Sequence, residues 1–203
     1  MAINLSVQFD QAQFKEIMGS WKDQYNYALK TALNQTAVDA QSAIRAKMHS
    51  EFTIRNKYAD NSIKVEFAKK DNLQSAVKVQ PPKGGKDILS IHEEGGIRTN
   101  KTGGMLAVAQ KAIRPTPTAT IPQSKLPRNL KRAFKIIVKG KEYLLVRKGK
   151  GKNNVKLAYR LIKSAPIKAD LHFYITAVKT VQAKWHENCE AAIQKAILTA
   201  HPQ

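Results

Sequence analysis

Residues 134–162 read FKIIVKGKEYLLVRKGKGKNNVKLAYRLI, Phe134 to Ile162, and this stretch decides the fold. Three runs rich in β-branched, aromatic and leucine side chains are separated by glycine and lysine, as in consecutive strands joined by turns. KGKE is short enough for a hairpin connection. KGKGKNN is longer, glycine-rich and cationic, which predicts a mobile tip near 147–155.

Upstream, Ile63, Val65 and Phe67 alternate with Lys64, Glu66 and Ala68, the period of a half-buried strand, and Ala76 to Gln80 reads as its partner. PPKGGKD then forms a turn or tip, since two prolines and two glycines cannot continue a ladder. Asp87–His92 and Met105–Ala109 read as short extended segments. Between Ile113 and Pro127 lie four prolines, which predict an extended arm or connecting loop near 113–127. Leu126, Leu130 and Phe134 fit a helical turn.

Helices are expected at both ends. Asp10 and Gln13 suggest a capping box, after which Phe14, Met18, Trp21, Tyr25, Leu29, Ala32, Thr36, Ala40 and Ile44 recur at spacings of three or four. Gly19 weakens this helix, and Ser20 with Asp23 offers a second start. Its later half is rich in alanine, so another backbone can approach closely, from a sheet or a neighbouring subunit. After Pro166, Leu171, Ile175, Val178, Val181, Trp185, Cys189, Ile193 and Ile197 mark a C-terminal helix, with Asp170 as its N-cap. Strands grouped between terminal helices indicate an α+β fold, an antiparallel sheet packed by a long N-terminal and a C-terminal helix. At 203 residues, one domain spanning 1–203 is expected.

Charge narrows the function. The chain carries 35 Lys and Arg against 15 acids, a formal net charge of +20, and such a protein expects an anionic neighbour. From Arg98 to Lys168 there are 19 basic residues and one acid, Glu142. Lysines outnumber arginines 27 to 8, which favours diffuse attraction to phosphate over bidentate reading of guanine edges. Lys125, Arg128, Lys131 and Arg132 are therefore candidate DNA-proximal residues. Lys148, Lys150 and Lys152 join them as a cationic tip, although lysines there can equally serve only to keep strand edges from aggregating. Phe134, Tyr143 and Tyr159 are the aromatics of this basic segment, and their strand positions suit core packing, so nucleic-acid contact should be weak, salt-sensitive and indifferent to sequence.

Reactive chemistry finds little support. His92, Glu93 and Glu94 are the best cluster, but adjacent residues on a strand point to opposite faces, and no HExxH or second histidine stands at useful spacing. A strand ending in a Gly-Gly turn with solvated carboxylates is the favoured reading. Of His186 and Cys189, three apart on the last helix, the cysteine is expected to pack inward and the histidine to face water. GKGKNN lacks the spacing and hydroxyl of a phosphate-binding loop, and there is no GxSxG elbow. No cofactor, metal site or catalytic residue is expected. The single cysteine excludes an internal disulfide and suits a reducing compartment. MAINLSVQFD has neither a basic nor an apolar leader region, and no run is long enough to cross a bilayer, so folding in a cytoplasm is expected.

Several segments in order carry a resemblance: ALKTALNQTAVDAQSAIRAKM, FTIRNKYADNSIKV, IHEEGGIRT followed by MLAVAQKAIRP, and YLLVRKGKGKNN followed by LAYRLIKSAPIKADLHF. Together they span residues 28–173 and resemble the lambda-like bacteriophage minor tail protein Z, or tail completion, family of the head-tail junction. The resemblance implies a non-enzymatic virion subunit, assembled in the host cytoplasm into a ring of its own copies near the DNA channel. Its partners would be other tail or connector proteins, genomic DNA through nonspecific electrostatics, and no membrane. His92, Glu93, Glu94, Gly95, Gly96 and Arg98 would then form a shaped loop contacting an adjacent subunit. The alternative is a cytoplasmic, sequence-nonspecific nucleic-acid-binding protein.

Overall fold

The computed structural model describes residues 22–82, 85, 87–147, 149 and 154–199. The fold is α+β, with antiparallel sheets and long helices toward both ends. The chain divides into two compact units: a helical one of Met1–Phe52, Lys57–Glu93 and Asp170–Gln203, and a β one of Thr53–Asn56 and Glu94–Ala169.

The helical unit contains α1 (Lys22–Glu51), α2 (Tyr58–Ser62), β1 (Ile63–Glu66), β2 (Ala76–Val79), α3 (Ser90–Glu94, whose last residue falls in the β unit) and α4 (Phe173–Thr199). Every fourth residue of α1 from Ala28 to Met48 is buried: Ala28, Ala32, Thr36, Ala40, Ile44 and Met48. A row at this spacing is a helix ridge, and small side chains along it let a second helix approach closely. Ala28 meets Ala196, and Ala32 meets Ala192 and Cys189, so α4 runs antiparallel to α1. Asn188 adds a polar clamp by donating from Nδ2 to Thr36 Oγ1 (3.0 Å) and Asp39 Oδ2 (2.8 Å). The alanine face is thus buried within its own chain, although Ala46 stays exposed.

On α4 the buried row is Phe173, Ala177, Cys189, Ala192 and Ala196, while Ile175 and Ile197 of the expected apolar face are about half exposed. Other residues of the expected face are in the contact: Leu171 and Cys189 are buried, and Trp185 and Ile193 pack against α1, with small residues filling the closest approach. Asp170 precedes the helix start and does not take the capping position. His172, in a left-handed conformation at φ 52°, instead accepts the Thr176 N–H through its carbonyl (3.0 Å).

Ile63–Glu66 pairs with Ala76–Val79 as expected, in the register Ile63 to Val79, and Phe67 lies beyond the strand end. Side chains of α1 bond the hairpin backbone. Gln41 donates to Ile63 O (2.7 Å) and Arg45 to Asp60 O and Ile63 O (3.0 and 3.1 Å). Asn34 both donates to and accepts from Ala68 (3.2 and 2.6 Å). These bonds satisfy carbonyls and an amide that a two-stranded ribbon leaves unpaired.

The β unit contains β3 (Gly96–Thr99), β4 (Leu106–Ala109), β5 (Ala133–Val138), β6 (Lys141–Arg147), β7 (Val155–Ile162) and β8 (Ser164–Ile167). The three runs of the decisive stretch are β5, β6 and β7, which with β4 form an antiparallel sheet in the order β4-β7-β6-β5. Lys139 (φ 49°) and Gly140 (φ 70°) close the β5–β6 hairpin, and two consecutive positive φ values match strand twist in a two-residue loop. β3 pairs separately with β8.

Two local expectations are corrected. Asp87–His92 is not extended: Asp87 Oδ1 accepts the N–H groups of Leu89 (2.9 Å) and Ser90 (3.1 Å), and this cap starts α3. Leu126, Leu130 and Phe134 do not share a helical turn. Short 3-10 turns at Gln123–Lys125 and Pro127–Asn129 follow Pro122 and Leu126, and Phe134 lies on β5. The proline-bearing loop also contains turns, with the Ile113 and Arg114 amides both donating to Gln110 O (2.9 Å each).

Candidate nucleic-acid interface

Charge divides sharply between the units. The β unit holds 20 of the 35 basic residues and 2 of the 15 acids, a net +18; the helical unit, with 15 and 13, is left with +2. One of those two acids, Glu142, is paired with Lys135.

The two faces of the four-stranded sheet differ. On one, Leu144, Val146, Tyr159 and Leu161 are covered by Ile113, Ile121 and Leu130 from the connecting loop. Tyr159 is buried and donates its hydroxyl to Lys125 O (2.6 Å), fastening the loop down. Burial pushes the phenol above its usual range, against the smaller opposing effect of Arg114. Covering this face fixes the turns that carry Lys125 and Arg128, both exposed.

On the opposite face lie Phe134, Ile136, Tyr143, Leu145, Arg147, Leu157 and Arg160, none of them buried. Register places Phe134 across from Leu145 and Tyr143 across from both Ile136 and Arg160. A bulge at Leu144/Leu145, opposite Ala158, keeps Leu157 and Arg160 on one face although they are three residues apart. The Arg147 guanidinium sits 5.1 Å from the Phe134 ring centroid, within cation-π range. Arg132, in a left-handed conformation at φ 57°, accepts the Arg147 N–H through its carbonyl (3.3 Å). Arg132, Phe134 and Arg147 line an open cleft of about 500 Å³ with Ala133 and Gly149.

Of the sequence-derived basic candidates, Lys125, Arg128, Lys131 and Arg132 are exposed in the β unit. Lys148, Lys150 and Lys152 lie outside the described residues, as do Asp10, Gln13, Phe14, Met18, Gly19, Ser20 and Trp21. Arg147, Arg160, Phe134 and Tyr143 were not grouped from sequence. Alternation along each run was visible there, but the bulge and the covering loop decide which set stays open.

Two residues of the HEE motif, His92 and Glu93, have structural roles within the helical unit. Glu93 accepts the first amides of α4, from Phe173 (2.7 Å) and Tyr174 (3.3 Å), where a carboxylate opposes the positive helix end. The His92 carbonyl accepts the Leu171 N–H (3.0 Å), and its ring meets Phe52 edge-on, centroids 4.8 Å apart. Because the three residues lie on a helical turn, the strand-alternation argument does not apply to them. Glu94 is exposed. Gly95 has φ 72°, and a Cβ there would stand 3.3 Å from Ile167 O, so glycine is favoured on both counts. Gly96 and Arg98 are exposed on β3, paired with Ile167 and Ala165.

Among the described residues, no group of three or more His, Cys, Asp or Glu is placed to hold a metal ion, and no helix is long and apolar enough to cross a membrane. Cys189 is buried against α1, and burial pushes its thiol up to about 11, whereas His186 is exposed beside Glu190 (3.1 Å). No family model, curated protein or solved structure matches the chain.

Proposed function

We propose that this chain is a non-enzymatic structural subunit of a long-tailed bacteriophage, a tail completion or neck protein that forms part of a ring at the head-tail junction, near the DNA channel. The observation that carries this reading is the segregation of charge: the β unit carries net +18 and the helical unit only +2. A subunit bordering packaged DNA needs a cationic surface without base readout, and a separate packing module to hold it. The ordered resemblance across residues 28–173 supplies the viral assignment. Exposed Ile97, Ile137 and Leu198 offer apolar surface for contacts with other copies and with tail or connector proteins. Assembly would take place in the host cytoplasm, with the finished protein in the virion.

Mass spectrometry and cross-linking of purified particles test this reading. The chain should be present at a fixed copy number and cross-link to itself; its absence from particles would overturn the assignment. The same charge segregation favours one second reading, a cytoplasmic sequence-nonspecific nucleic-acid-binding protein. That reading predicts duplex binding by the isolated chain that falls steeply with salt, together with absence from virions.

A further inference from the structure

We propose that the open face of the four-stranded sheet is a platform for single-stranded nucleic acid, with bases stacked on Phe134 and Tyr143 and phosphates held by Arg132, Arg147 and Arg160. This deepens the polyanion-facing reading of the β unit and rests on it, but it does not depend on a place in a virion.

Three observations converge on it. First, the face combines ring and cation in two pairs: Arg147 stands 5.1 Å from the Phe134 ring centroid, and Arg160 is directly across from Tyr143. Phe134 and Tyr143 are diagonal neighbours on β5 and β6, about 7–8 Å apart by sheet geometry, so two bases of one strand can lie on them in succession. Second, the face carries no acid. Glu142 points to the opposite side by alternation, where it pairs with Lys135, and neither Arg132 nor Arg147 has a carboxylate partner among the described residues. Third, the left-handed turn at Arg132 and its main-chain bond to Arg147 bring both arginines to the cleft beside Phe134.

Charge decides the occupant. A half-exposed apolar sheet face is otherwise a natural contact for a second copy, but two units of +18 repel each other, whereas a polyanion neutralises the unit it covers. A duplex presents phosphates and groove edges to such a face and hides its base planes. Only an unpaired strand can use both the rings and the arginines.

The test measures fluorescence anisotropy of the full chain with labelled oligothymidylate of about 12 nucleotides, and with a duplex of equal length, at two salt concentrations. Oligothymidylate should bind more tightly than the duplex. Phe134→Leu, which keeps apolar bulk, and Tyr143→Leu should each weaken single-strand binding about tenfold while duplex affinity is unchanged, and Phe134→Trp should restore it. Arg147→Ala should lower the single-strand salt slope by about 0.7. Equal affinity for duplex and single strand, or equal weakening of both by the leucine variants, would sink the platform but leave the electrostatic reading of the β unit standing. Absence of binding to either would remove both. If the leucine variants instead abolish self-association in sedimentation without nucleic acid, the face is a contact between copies and the proposal fails.

Discussion

The two units solve opposite problems. The helical unit is nearly neutral and contains 19 of the 22 buried apolar side chains among the described residues. The β unit carries +18 and contains three, Ile113, Ala158 and Tyr159. Burial of each large apolar side chain contributes about 1.5–3 kcal/mol, so the helical unit has ample stabilisation of its own. The β unit has a thin core and strong self-repulsion. Its geometry depends more on hairpin turns and one buried tyrosine. On the proposed reading, a polyanion would offset the self-repulsion of the β unit, while the helical unit is stabilised by its own core.

The largest test of this contrast is Phe173→Ala. Phe173 is fully buried where α4 begins, so its truncation should cost about 3–5 kcal/mol. Denaturation followed by Trp185 fluorescence in a Trp21→Phe background should show the loss. A cost below about 1 kcal/mol would mean the helical unit is not the well-packed partner. Next, Tyr159→Phe removes the bond to Lys125 O from a core with few other supports, at a cost of about 1–2 kcal/mol. Faster amide exchange across β6 and β7, with α1 and α4 unaffected, would confine the damage to the β unit.

Glu93→Gln should cost about 1 kcal/mol at the start of α4, because the amide lacks the charge that opposes the helix end. Thermal melts of the two forms at low salt would measure it. A smaller effect concerns Asp87. Burial acts to raise its pKa, but hydrogen bonds from the Ser90 hydroxyl and the Ser90 and Leu89 amides outweigh it and hold the carboxyl below its ordinary value of 3.8. A depressed folded value means the stabilisation of α3 is fully present above 3.8 and is lost as pH falls through the lower, folded value. Exchange at the Ser90 amide should therefore be protected at pH 5 and lose protection toward pH 3 after correction for intrinsic rates. Retained protection would show that Asp87 does not hold this turn. Smallest, added salt should raise the melting temperature of the β unit by a few degrees through screening and leave the helical unit almost unmoved.

Much of the fold was legible because it depends on local periodicity. The alternation of Ile63 and Val65, the three runs of residues 134–162 and the every-fourth row of α1 each follow from a repeat that the backbone imposes. Sites depending on distant partners were less legible. Glu93 reads in sequence as one of two solvated carboxylates, and nothing near it announces that the amides of Phe173 and Tyr174, 80 residues away, will be its donors. Phe134 and Tyr143 read as core because aromatic residues on strands usually are. They stay only half-buried because the 110–130 loop covers the other face, and the extra residue Ala158 in β7 is what brings Arg160 to their side.

By itself the sequence determined the element types and the place of the charge, since both are properties of neighbouring residues: side-chain period sets helix or strand, and the lysines and arginines are concentrated in one stretch. Only the tertiary structure decided which side of the sheet stays open, that α1 buries alanines against α4, and that Glu93 caps a helix. Each of those outcomes requires residues far apart in the chain to meet, and a linear pattern does not encode which of two equivalent faces will be covered.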